Sequence, residues 1–121
     1  MAVHGENRSI AVVAGADLRT GAQFKVVGVA GTIAATNLAG IGILQNRPNT
    51  GEGASVVYDG HAKAYVGGGA VSAGAALKVT TSGWLVAVAS GDGAVAKAVT
   101  AAASGTLCEV LCDFKTTLTT Y

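Results

Sequence analysis

The sequence predicts an all-β fold, a small single-domain β-barrel or β-sandwich, and two observations carry that expectation. In the C-terminal half, short apolar runs at residues 75–80, 84–89, 94–100 and 106–112 are separated by turns centred on Gly83, Gly91 to Gly93 and Gly105. Turn signals about 8–12 residues apart with strand-type runs between them are the pattern of a compact β domain. The second observation is Asp59-Gly60. It stands between two apolar runs, residues 54–58 and 61–66, and an Asp-Gly pair in that setting predicts a two-residue hairpin turn.

The remaining elements follow in order. Residues 1–9 are read as a polar N-terminal arm, 10–114 as the β domain and 115–121 as a Thr-rich tail. Strand-type runs lie at 9–14, 23–29 and 38–44, with turns at 15–21, Gly31 and Thr36-Asn37. Residues 45–53 hold the single proline and no large apolar side chain, so they are a loop. Gly67-Gly68-Gly69 closes the predicted hairpin. The Ala-rich stretch 94–103 has helical propensity, but flanking glycines and Val95 and Val99 favour a strand loosening into a turn at 101–103. The predicted core is Val12, Phe24, Val26, Ile41, Ile43, Val57, Leu77, Val79, Trp84, Val86, Val110 and Cys112.

Composition bounds function. The chain has 121 residues, of which 50% are hydrophobic, 12% charged and 5% aromatic, with 18 glycines. Ordinary soluble domains carry about 25% charge. A chain so poor in charge leaves apolar surface in water as a monomer, and such surface marks interaction sites. An oligomer or a larger assembly is expected. The net charge is +1 and the cations are scattered, whereas nucleic-acid binding needs a clustered positive footprint. No apolar run reaches the length of a membrane span. The N-terminus lacks a basic segment followed by an apolar core, so it is not read as a secretory signal, and synthesis in a cytoplasm is expected.

Catalytic chemistry is sparse. His4 falls in the arm and His61 beside the predicted turn, neither in the tuned environment a general base needs. Asp17, Glu52, Asp59 and Asp92 occupy predicted turns, where acidic side chains serve backbone geometry. Glu109 and Asp113 share a strand face opposite Cys108 and Cys112. The two cysteines, four residues apart, lie about 13 Å apart on an extended strand, too far for a disulfide. They are expected to be buried, reduced and independent. The glycine clusters lack the Lys-Ser/Thr and strand-to-helix context of a phosphate loop. No catalytic residue, cofactor or metal ligand is assigned.

Several stretches carry a resemblance. They are the loop 16–22, the strand 24–27, the run 38–44, the segments 60–66 and 71–79, Gly83-Trp84-Leu85, and the closing phrase 96–111. In this order they resemble the capsid cement, or head-decoration, proteins of tailed bacteriophages. The resemblance covers roughly residues 10–114. It implies a non-enzymatic β-barrel-like homotrimer on the outer capsid surface of the virion, bound to the major capsid protein after the shell expands. The Thr-rich tail departs from that pattern. Candidate capsid contacts are Val3, His4, Glu6 and Arg8 of the arm and Arg47 of the proline loop. An alternative is a carbohydrate- or receptor-binding β-domain of a phage fibre or surface protein. That reading requires aromatic and polar groups gathered at one loop end, from Tyr58, Tyr65 and Trp84.

Overall fold

The computed structural model describes residues 7–36, 40–88 and 94–114. Among them are eight strands and one 3-10 turn: β1 Asn7–Val13, β2 Val26–Gly28, β3 Gly40–Leu44, β4 Gly53–Tyr65, β5 Ala76–Val79, the turn Thr81–Gly83, β6 Leu85–Ala87, β7 Ala96–Ala98 and β8 Leu107–Asp113. The ladders between these strands are antiparallel, in the order β2-β3-β4-β8-β7-β5-β6, with β1 also on β4. The ladder nearly closes into a barrel. Val66 bridges Leu85 in parallel, Gly67 N donates to Leu85 O at 2.9 Å, and Tyr65 N donates to Phe24 O at 3.0 Å.

Asp59-Gly60 is not a hairpin turn. β4 runs through it for 13 residues, and the register explains why the pair is needed there. Val57 pairs with both Ser9 of β1 and Ile43 of β3, so β1 and β3 take opposite edges of β4. Asp59 pairs with both Arg8 and Asp113, so β8 also lies opposite β1. β3 and β8 therefore follow each other along one edge of β4, and β4 must leave one half of the barrel and enter the other. The bend is made by a register shift at Arg8/Ser9 and by Gly60 at φ 112°, a value glycine adopts without a Cβ clash. A glycine inside a strand often marks such a barrel corner.

The two halves bury different patterns. β8 alternates, with Cys108, Val110 and Cys112 inside and Glu109 and Leu111 turned outward. The β2-β3-β4 half is covered on both faces. Val26, Ile43 and Val57 enter the barrel interior with Leu77, Leu85, Val110 and Phe114. Their neighbours Val27, Leu44 and Val56 meet Ala14, Leu18 and Ala22 from the loop that lies over the outer face. Consecutive apolar pairs are what two buried faces require.

Of the predicted core, Val26, Ile43, Val57, Leu77, Val79, Val110 and Cys112 are buried. Val12, Phe24, Ile41, Trp84 and Val86 are only half-buried. Trp84 is the instructive exception. It directly follows Ser82 and Gly83, both at positive φ, and this turn sets the phase of β6 so that Leu85 points inward and is fully buried. Trp84 is left at the barrel end.

Candidate assembly surface

Among the described residues, the most exposed large apolar side chains fall on two parts of the sheet, the edge strand β1 with the turn beside it and the outward face of β8. The first is built on β1. Ala14 N donates to Glu52 O at 2.8 Å, which sets the hydrogen-bonding phase of the β1–β4 ladder. Ile10 and Val12 turn their peptide groups toward β4, and Ser9 and Ala11 turn theirs away. Among the described residues no strand pairs with that outer edge. Ile10 is 45% exposed and Val13 67%, and β1 carries neither lysine nor proline. The 28–31 turn meets the end of the strand, where Gly15 N donates to Gly31 O at 3.1 Å, and it adds Val29, 76% exposed. Folded proteins usually blunt free edges with charge, proline or a cover. Among the described residues this one is unpaired and is apolar over residues 10–13, with Arg8 as its single charge.

The second surface is the outward face of β8 and its neighbours. Leu107 and Leu111 stand exposed beside Val99. Leu111 pairs with His61 on one side and Lys97 on the other, and Glu109 lies opposite Lys63. His61 Nε2 is 3.0 Å from Glu109 Oε1. The face therefore mixes apolar residues with both signs of charge.

Of the five sequence-predicted contacts, Arg8 and Arg47 are described and both are exposed. Arg8 belongs to the open strand, so the segment read as an arm is already paired with β4 from Asn7 onward. Arg47 is engaged differently: its Nε donates to Arg19 O at 2.8 Å, and Leu18 N donates to Pro48 O at 2.9 Å, so the proline loop is tied to the 17–19 loop. Val3, His4 and Glu6, like the Thr-rich tail, lie outside the described residues. Sequence reasoning missed Ile10, Val13 and Val29. The signal available was an apolar run, residues 10–13, with Arg8 as the one charge on its strand.

At the barrel end, Tyr65 and Trp84 have ring centroids 5.9 Å apart, and Lys25 Nζ lies 5.0 Å from the Trp84 ring centre. Tyr58 packs against the interior cluster instead. Two non-glycine residues with positive φ adjoin this region, Phe24 at 69° and Ser82 at 62°. Such conformations cost about 1–3 kcal/mol each and persist when surrounding structure enforces them. Phe24 is so held, with its N donating to Leu44 O at 2.7 Å and its O accepting from Tyr65 N.

Among the described residues no group of three or more His, Cys, Asp or Glu side chains gathers as a metal site. No helix there is long and apolar enough to cross a membrane. Both cysteines are free and buried. Burial, with Asp59 nearby as a lesser cause, pushes the Cys112 thiol up to about 12 from its ordinary 9.0. Both thiols are expected to resist iodoacetamide at pH 8 in the native protein and to react after unfolding. Because the Cys112 pKa is raised on folding, its contribution to stability is intact below pH 9.0 and declines as pH rises toward about 12. Replacing either cysteine by Ala is expected to cost about 1–3 kcal/mol in thermal or denaturant unfolding. An intramolecular disulfide found by mass spectrometry contradicts the extended β8.

No protein-family model matches the chain, and no curated protein matches it. Among solved structures, the fold is similar to the N base of the head fiber protein gp8.5 of bacteriophage phi29, with a TM-score of 0.66 at 15% identity, over 90% of this chain and 96% of that one.

Proposed function

We propose that this chain is a structural, non-enzymatic protein of a tailed bacteriophage that attaches to the outside of the expanded head and stabilises contacts between major capsid proteins as a homotrimer. The observation that carries the reading is the fold likeness to a head fiber base over nearly the full length of both chains. The cement-protein resemblance of the sequence points to the same setting. The physical surface agrees with it. Scarce charge and open apolar faces suit a subunit that is covered in an assembly. The outer edge of β1 offers backbone donors and acceptors to an extended segment of a coat protein, a mode of recognition whose affinity comes from main-chain hydrogen bonds. Residues 1–6 precede that strand and extend the same attachment. The mixed face of Leu107, Leu111, Lys63 and Glu109 supplies the contacts between copies. Many equivalent sites on a symmetric shell add avidity to a modest single contact.

The test is to mix purified protein with expanded, undecorated heads and measure co-sedimentation. Saturable binding to expanded heads, absent with unexpanded ones, is expected. Failure to bind either kind overturns the reading.

A further inference from the structure

We propose that the depression between the 16–22 loop and the Thr81–Gly83 turn is a saccharide-binding site that takes one pyranose unit of a glycan. The depression has a volume of about 470 Å³, within the range of small-ligand sites. The half-buried Ala16 and Ile33 contribute its accessible apolar lining, backed by the buried Leu18 and Ala22, and Asp17, Thr20, Lys25 and Ser82 supply polar groups. Trp84 lies outside the lining, and Lys25 stands between the two, its Nζ 5.0 Å from the indole ring centre.

The chemistry of these groups selects the ligand. One carboxylate already neutralised by a neighbour, one ammonium and two hydroxyls favour neither a polyanion nor a polycation. They match a neutral ring that carries many hydroxyls on one side and C–H groups on another. Asp17 Oδ1 accepts from Arg19 N and Nε, and Oδ2 accepts from the Arg19 guanidinium at 2.8 Å. A carboxylate has about four acceptor positions, so Oδ2 retains one for a ligand hydroxyl, and Arg19 fixes its direction. Thr20 and Ser82 each offer a hydroxyl that both donates and accepts. The Lys25 ammonium donates to ring or hydroxyl oxygens, and the apolar lining receives the C–H face. This inference is independent of head attachment, since none of its residues belongs to β1 or to the outward face of β8.

Trp84 is the only tryptophan and packs against Lys25 of the site, so its fluorescence senses a ligand that engages that ammonium. The full-length protein is titrated with methyl glycosides of glucose, galactose, mannose, N-acetylglucosamine and N-acetylgalactosamine, and saturation-transfer NMR is recorded on the same mixtures. At least one glycoside is expected to bind saturably with a dissociation constant on the order of 1 mM, what a dozen ligand atoms give at ordinary efficiency. Asp17→Asn and Thr20→Val, both at exposed positions, are expected to weaken that binding at least tenfold with an unchanged melting temperature. Absence of saturable binding across the panel by both readouts overturns the proposal, as does binding that both variants leave unchanged.

Discussion

Gly42→Val is expected to prevent the protein from folding or to destabilise it by about 3 kcal/mol or more in denaturant unfolding. Gly42 lies in the middle of β3, paired with Val27 of β2. A Cβ there is driven into the Val57 carbonyl oxygen and lies 2.9 Å from the Val57 carbonyl carbon. That obstacle is the backbone of β4, the strand shared by both halves of the barrel, so no side-chain rotation relieves it. Overpacking that only displaces side chains costs about 1–3 kcal/mol. Displacing a ladder strand belongs above that range. Gly53→Ala is the comparison, since nothing lies within 4 Å of a Cβ at that position. It is expected to be nearly neutral, and equal stability of the two variants contradicts the close packing of β3 on β4.

Ala11→Pro is expected to abolish or greatly reduce attachment to heads while leaving the barrel folded. The Ala11 amide faces the outer edge of β1, so its loss removes no hydrogen bond to β4. Proline is tolerated on a strand whose N–H faces away from the sheet, but its ring blocks a strand docking on that side. The readout pairs head occupancy with melting temperature. Ala11→Ser, which keeps the N–H, is expected to bind like the parent. Full occupancy by a folded Ala11→Pro protein removes the β1 edge from the attachment mechanism and shifts it to the 46–49 loop.

The fold class and strand positions were legible in the sequence because they depend on local signals. Alternation placed Cys108, Val110 and Cys112 on one face and Glu109 and Asp113 on the other, as found, because β8 has one buried face. Three features were not legible, each for a tertiary reason. Asp59-Gly60 has the chemistry of a hairpin turn, but its neighbouring runs pair with β1 and β8 rather than with each other, and it bends a continuous strand instead. Trp84 has the size of a core anchor, but the positive-φ turn before it gives the inward position to Leu85. The meeting of Lys25, Tyr65 and Trp84 joins residues up to 59 positions apart in a chain of 121, with no motif to announce it. For the assembly surface, low charge predicted that a partner covers the protein. The choice of β1 needed the ladder, because only the pairing order shows which strand keeps an unpaired edge among the described residues.

The central claim, attachment to the outside of a phage head through the β1 edge, is tested most directly by an electron cryo-microscopy map of expanded heads saturated with the protein. The account predicts one trimer of eight-stranded barrels at each local three-fold position of the outer surface, with coat-protein density continuing the sheet alongside Ser9 and Ala11. Saturated heads without barrel density on their outer surface, or barrels held with the β1 edge facing solvent, would contradict it.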